Sequence, residues 1–326
     1  MTTLRIGTRG SALALWQART VAALLEAAGT AAELVVIRTA GDRLQHAPLS
    51  EVGGKRLFVK EIEDALLAEE IDIAVHSAKD MSAVLPEGLD IGAVLPREDP
   101  RDAIVLRAQV EREDFAAVLL RLEGDAVVGT GSIRRAAQLR SVLPHARFAG
   151  IRGNVDTRIR KLEAGDFDAL VLAAAGMRRL GLDGRIAACI PLELCVPAPG
   201  QGIIAVEIRS ADTVARRALE GAHDRATGVL LTAERTLVER LGGGCQLPLG
   251  AIAMHDGDSI RMRGLVVSPD GRSVIRRELS GTRDDPAGLG CRLGDALASA
   301  GALDILDLVR GAVPPAIAGD RGPGDE

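Results

Sequence analysis

Three short runs of arginine and small polar residues stand where an apolar stretch gives way to a helix-forming one. They are Thr8-Arg9-Gly10-Ser11, Thr130-Gly131-Ser132-Ile133-Arg134-Arg135 and Arg152-Gly153-Asn154-Val155-Asp156-Thr157-Arg158. A helix N-terminus offers unpaired N–H groups and partial positive charge, and an arginine adds a planar fork that matches carboxylate or phosphate. Any one of these runs is equally a helix cap beside a solvated arginine. Three on the carboxyl-terminal edge of an α/β sheet point instead to a ligand carrying several carboxylates or phosphates. Neither G-x-x-x-x-G-K-[ST] nor G-x-G-x-x-G occurs, which disfavours nucleotide phosphates.

Three further places could carry chemistry. His76-Ser77-Ala78-Lys79-Asp80 closes a buried apolar strand. Asp80 could act as a general acid or base or stabilise a cation formed in a reaction, or it could form a local ion pair at a surface turn. His76 reads as a core histidine rather than a catalyst. Val52-Gly53-Gly54-Lys55-Arg56-Leu57-Phe58 suits a mobile loop over a cleft, with Lys55 meeting an anion and Phe58 covering an apolar ring, or a plain loop. In Leu241-Gly242-Gly243-Gly244-Cys245-Gln246, three glycines strip side chains from around one thiol at the end of a helix. Cys245 is a candidate nucleophile or covalent anchor, or a buried cysteine beside a capping glycine cluster. Cys189, Cys195 and Cys291 lie in apolar surroundings and read as core.

The elements that must position these residues alternate. Strands are expected over 4–8, 34–38, 71–76, 88–95 and 103–106, with helices over 12–28 and 58–68. The charged, proline-broken run 97–102 reads as a crossing into a second unit. That unit alternates strands at 126–129, 147–149 and 169–173 with helices at 132–141, 155–164 and 174–180. Pro191, Pro197 and Pro199 then mark a return, and Gly200-Gln201-Gly202 leads into a strand at 203–208. Two α/β domains joined twice enclose a cleft, where ligands bind. After a helix at 227–241, strands at 249–254, 260–267 and 273–279 and helices at 287–300 and 302–309 form an α+β unit. The domains are expected at 1–101 with 203–221, at 102–202 and at 222–313, followed by a disordered tail at 314–326. Both α/β sheets are expected to be largely parallel.

Length and composition agree with several domains, since single cores stop growing at roughly 250–300 residues and the chain has 326. Apolar residues at 47% exclude global disorder, and a net charge of −5 argues against a general nucleic-acid binder. Only four of the 40 basic residues are lysine (55, 60, 79 and 161), so each lysine is informative. No stretch approaches ~18 strongly apolar residues, so no transmembrane helix is expected, and the N-terminus lacks a signal-peptide pattern. No CxxC pair suggests a zinc site or a disulfide framework, and no metal is expected.

These motifs together resemble the porphobilinogen deaminase (hydroxymethylbilane synthase) family from Leu4 to about Val313. The resemblance is carried by 8–17, 53–61 (Gly-Gly-Lys-Arg-Leu-Phe-Val-Lys-Glu), 72–80 (Asp-Ile-Ala-Val-His-Ser-Ala-Lys-Asp), 97–103, 132–135, 152–155 and 243–246. It implies two α/β domains similar to periplasmic binding proteins around a cleft, plus a smaller α+β domain. It implies a cytoplasmic, monomeric enzyme that joins four porphobilinogen units head to tail, releases four ammonia and frees a linear tetrapyrrole. The chain would grow on a covalent dipyrromethane cofactor held by a cysteine thioether. Carried onto this sequence, Cys245 is the anchor and Asp80 the catalytic carboxylate. Lys79, Ser132, Arg134 and Arg135 join Asp80 in cofactor binding, while Arg9, Ser11, Arg152, Arg158 and Arg179 meet substrate carboxylates. Lys55 and Phe58 match the mobile loop. The chain departs from the family at Ala78 and Met81-Ser82, where Met and Val-Pro are frequent, and at Gly131, where Ser is frequent. Two rivals explain part of the pattern: a two-domain anion sensor, which leaves Asp80 and Cys245 without a task, and a Cys245-dependent acyl- or sulfur-transferase, which lacks an evident histidine partner.

Overall fold

The computed structural model describes residues 3–39, 59–107, 111–243 and 247–311. Lys55, Phe58, Cys245 and the 314–326 tail lie outside them.

The chain begins with β1 (Leu4–Thr8) and α1 (Ala12–Ala27), then β2 (Ala32–Val36), α2 (Lys60–Leu67), β3 (Ile73–Ser77) and β4 (Leu89–Val94). It next forms β5 (Asp102–Leu106), α3 (Phe115–Arg121), β6 (Val127–Gly129), α4 (Ile133–Leu139), β7 (Arg147–Ala149), α5 (Val155–Glu163), β8 (Ala169–Ala173), α6 (Ala174–Arg179) and β9 (Ala188–Cys189). β10 (Ile204–Arg209), α7 (Thr213–Leu219) and α8 (Arg225–Arg240) follow. The last unit is β11 (Leu249–Asp256), β12 (Ser259–Val267), β13 (Val274–Thr282), α9 (Pro286–Ser299) and α10 (Ala302–Gly311). Helices α3 and α7 carry no apolar stripe long enough to announce them. Asp114 and Asp212 start them by accepting from Ala117 N at 2.7 Å and Ala215 N at 2.9 Å.

The first sheet runs β2-β1-β3-β10-β4, the second β7-β6-β8-β5-β9 and the third β11-β12-β13. The two large sheets are mixed rather than purely parallel. β10 lies antiparallel to β3 and β4, and β5 antiparallel to β8 and β9. Each reversed strand is the first one laid down after the chain changes sheets. A chain arriving from the facing domain enters at the edge where the other strands end, so it must run back against them.

Apolar alternation packs these sheets. Ile6, Leu25, Ile73, Val206 and Ile208 fill the first unit, and Leu139, Val171, Leu170 and Leu162 the two faces of the second. Leu237, Leu293 and Leu297 seat α8 and α9 on the third sheet. Each such side chain contributes roughly 1.5–3 kcal/mol on burial.

Two buried ionic knots set the sheets against one another. In the first, Arg97 pairs with Glu234 of α8 at 2.6 Å and donates from Nε to Gln201 O at 2.9 Å. Glu234 also accepts from Gly200 N at 2.6 Å and Ala253 N at 2.7 Å, so both crossings, α8 and β11 meet at one carboxylate. In the second, Asp102 at the start of β5 is fully buried. It takes Arg134 at 2.9 Å and Arg135 at 2.7 Å, with Gln201 Nε2 donating to it at 2.8 Å. Burial pushes the Asp102 carboxyl up, but the two guanidinium groups outweigh it and hold it well below the usual carboxylate range.

A carboxyl depressed in this way adds stability above its unfolded pKa of about 4, and that stability is lost as the pH falls further. Asp102→Asn strands two buried cations and is expected to cost about 3–5 kcal/mol at pH 7. Urea unfolding from pH 2 to pH 7 checks this: the wild type should start to lose the increment only below about pH 4 and lose it progressively as the pH falls further, and the variant should not have it to lose.

Candidate functional site

The site is built where strands end and helices begin. β1 delivers Arg9 and Ser11, and Ser11 Oγ accepts from Ala14 N at 3.3 Å to start α1. Ser132 does the same for α4, accepting from Arg135 N at 3.4 Å. Both hydroxyls are therefore helix caps, and each keeps its own proton to donate outward. β3 ends in a short 3-10 turn over Ala78–Asp80, which places Lys79 and Asp80 at the same edge. Arg9, Ser11, Gln17, His76, Ser77 and Asp80 line one cavity. Gln17 Nε2 donates to Ser77 Oγ at 2.9 Å across it.

From the second unit, Arg158 of α5 donates from Nε to Gly153 O at 2.8 Å, and its charge is felt by both Arg135 and Asp80. Lys79 Nζ donates to Gln201 Oε1 at 3.3 Å and faces Asp80, Arg135 and Asp102. Arg179 of α6 donates to Gly202 O at 2.6 Å and lies 5.9 Å from the ring of Trp16 on α1. It thus bridges the two units. Arg152 is half-buried in the turn before α5.

The cations here lack enough anions. Burial pushes Lys79 down to about 8; Asp80 opposes the shift and Arg135 adds to it. Arg158 is pushed down to about 10 by burial and then by Arg135, against the pull of Asp80. Arg179 is pushed to about 10 by burial, with Glu98 opposing. A cleft that makes its own arginines and lysine uncomfortable gains stability when carboxylates enter.

Arg9, Ser11 and Asp80 therefore share one cavity, Lys79 and Arg158 act on the same carboxylate, and Arg135 acts on both of those cations while pairing with Asp102. Arg134 is not brought to the cleft surface. It is 3% exposed, with its guanidinium on Asp102 and on Val196 O at 2.5 Å. Its neighbour Arg135 is also buried but reaches Gln201 and Lys79. His76 is a core residue whose Nε2 lies 3.2 Å from Glu207 Oε2. Cys195 is inert, its thiol pushed up to about 12 by burial and Asp102, while Cys189 and Cys291 are only half-buried rather than core. Sequence reasoning missed Gln17, Ser77, Asp102 and Gln201 as members of the site. Gln201 had a signal in its flanking glycines, and Gln17, Ser77 and Asp102 lie within the runs 8–17, 72–80 and 97–103 that carry the resemblance, but their pairing had none until tertiary contacts made it.

Two mixed α/β sheets therefore bring together, among the described residues, the cations Lys79, Arg158 and Arg179, all held below their usual range by burial, and the Asp80 carboxylate, an arrangement of the kind an enzyme of polycarboxylates has. Residues 4–217 match the family model "Porphobilinogen deaminase, dipyromethane cofactor binding domain", and 229–299 match "Porphobilinogen deaminase, C-terminal domain". The porphobilinogen deaminase of Acidithiobacillus ferrooxidans (strain ATCC 53993 / BNL-5-31) is 46% identical over 311 residues, covering 95% of this chain and 99% of that protein. That of Roseiflexus sp. (strain RS-1) is 46% identical over 306 residues, 93% of this chain and 98% of that protein. Among solved structures, the methionine binding protein MetQ is similar over 68% of this chain and 89% of that chain, at 12% identity and a TM-score of 0.43. The chain belongs to the porphobilinogen deaminase family.

The lowered lysine offers a direct check. In cofactor-free protein, acetylation of Lys79 should reach half its maximal rate near pH 8. Peptide mapping after competitive labelling measures this; a midpoint near the ordinary lysine value of about 10 would mean Lys79 is solvated.

Proposed function

We infer that the chain condenses four porphobilinogen units head to tail into the linear tetrapyrrole hydroxymethylbilane, with release of four ammonia, on a dipyrromethane primer. The observation that carries this reading is the pair of buried cations, Lys79 and Arg158, that act on Asp80, in a chain 46% identical along 95% of its length to a porphobilinogen deaminase. A sensor without chemistry has no use for Asp80 at that position.

The residues present suit a dipyrromethane. Two pyrroles bearing acetate and propionate bring four carboxylates, and Lys79 and Arg158 are cations that burial and the nearby Arg135 hold below their usual range. When bound, the dipyrromethane supplies the first nucleophilic pyrrole carbon. Lys79, Ser132 and Arg135 would hold its carboxylates, with Arg134 serving indirectly by fixing Asp102. Cys245, which lies outside the described residues, is the proposed thioether anchor on the strength of the glycine-flanked thiol and the family resemblance.

Arg9, Ser11, Arg152, Arg158 and Arg179 are the proposed substrate clamp. Two carboxylates on porphobilinogen and two arginine forks fix its ring, so that coupling becomes effectively intramolecular. Breaking the C–N bond of the aminomethyl group releases ammonia and leaves positive charge shared by the methylene and the pyrrole. The Asp80 carboxylate, which lines the cavity beside Lys79, is placed to face that charge as a fixed anion. Asp80 then accepts the proton lost when the coupled ring regains aromaticity. Lys55 and Phe58 are proposed to cover the cleft.

The division 1–101 with 203–221, 102–202 and 222–313 follows from the same reading, with the cleft between the first two. Among the described residues no helix is long and apolar enough to cross a membrane. A monomer acting in the cytoplasm is proposed.

Asp80→Asn keeps shape and removes the charge. It should retain the primer and lose about 10²–10⁴ in turnover. Porphobilinogen consumption together with intact mass checks this, and near-normal turnover removes Asp80 from the mechanism. Cys245→Ser should lack the covalent mass of two deaminated porphobilinogen units that peptide mapping finds on the wild-type Cys245 peptide. Finding that mass on another peptide reassigns the anchor.

A further inference from the structure

Gln201 is fully buried between two glycines in the left-handed region, Gly200 at φ +74° and Gly202 at φ +90°. A Cβ on Gly200 would press on the Ala78–Lys79 backbone at 3.0 Å, and one on Gly202 would overlap the Glu98 carbonyl. Only glycine lets the return crossing lie this close to the turn that carries Lys79 and Asp80. The backbone of Gln201 is held as well: its N–H donates to Ala198 O at 3.0 Å and its carbonyl accepts from Arg97 Nε at 2.9 Å.

Its side chain is saturated. The amide nitrogen donates to Pro100 O at 2.7 Å and to Asp102 Oδ1 at 2.8 Å. The amide oxygen accepts from Lys79 Nζ at 3.3 Å and Arg135 Nη2 at 3.4 Å. Reversing the amide would set an NH2 against two cations, so its orientation is determined. One neutral group thus touches the turn after β3 in the first unit and α4 and β5 in the second.

Neutrality is what suits the position. A carboxylate would satisfy Lys79 and Arg135 internally and quench the positive cleft. An apolar side chain would leave Asp102, Pro100 O, Lys79 and Arg135 each short of a partner in a buried site. We propose that Gln201 is a positioning residue for the reaction: it spaces Lys79 and Arg135 across the unit boundary while leaving their charge for incoming carboxylates. This rests on the reading of the cleft given above.

The test uses the primer-loaded enzyme with Gln201→Met and Gln201→Glu, followed by porphobilinogen consumption from pH 6 to pH 9.5 and thermal unfolding. Gln201→Met should lower kcat by about 10²-fold through misplaced cations, with KM altered by less than about threefold. In cofactor-free protein it should also move the Lys79 acetylation midpoint below that of the wild type, because the ammonium loses an acceptor. In Gln201→Glu the introduced carboxyl lies against Lys79 and Arg135, which favour its ionised form, so it should neutralise them and lower kcat/KM by about 10²-fold across this pH range. A kcat within threefold of wild type for Gln201→Met, or a loss of activity with the Lys79 midpoint unmoved, overturns the proposal. If Gln201→Met does not accumulate as folded protein, Gln201→Glu decides alone: a kcat/KM within threefold of the wild type overturns it. Failure of the wider reading is separate, because the wild-type enzyme would then neither carry the primer mass nor consume porphobilinogen.

Discussion

Asp102 holds two arginines, and much of the cleft hangs on that arrangement. One fully buried carboxylate faces Arg134 and Arg135, which leaves an excess positive charge inside the protein beside the hinge. Removing two charges from water is costly unless geometry and additional hydrogen bonds offset it, and here Gln201, Cys195 and Val196 O supply those bonds. The arrangement divides the arginines' labour. Arg134 faces inward and secures the start of β5, while Arg135 faces Gln201 and Lys79 and passes the surplus charge on towards the cleft.

The other knot, Arg97 with Glu234, ties the crossings to the C-terminal unit. Both crossings and the helix and strand of the C-terminal unit converge on Glu234. A buried, fully hydrogen-bonded ion pair at this junction resists sliding of the elements it joins. Arg179, reaching Gly202 O from one unit and lying near Trp16 of the other, is the contact across the mouth itself. Hinge and mouth are therefore wired through the same few residues that carry the charge.

Much of this was legible beforehand. The strands at 4–8, 147–149 and 169–173 and the helix from Ala12 follow from apolar periodicity and a serine cap, and all are found within a residue. The second strand is found at Ala32–Val36 rather than at 34–38, because pairing with β1 at Leu4↔Ala32 sets its register and periodicity alone does not. The reversal of β5 and β10 was not legible either, since strand direction depends on which sheet a strand joins and at which edge it enters. Of the site, the arginines were visible by type and spacing. Their inequality was not: nothing in Arg134-Arg135 says that Asp102, some thirty residues earlier in the chain, takes both guanidinium groups while Arg134 also turns to Val196 O and Arg135 to Gln201.

The sequence alone determined the α/β alternation, the two crossings, the turns that present arginine at strand ends and the family to which those motifs belong. Each of these is set by residues close together in the chain, through side-chain periodicity, capping and backbone restriction. Only the tertiary structure decided which charges are compensated and which are left for a ligand. That balance is a sum over groups contributed by both units and the hinge: Lys79, Asp80, Asp102, Arg135, Arg158 and Gln201. Electrostatic energy inside a protein depends on distance and burial, and neither is fixed by position in the chain.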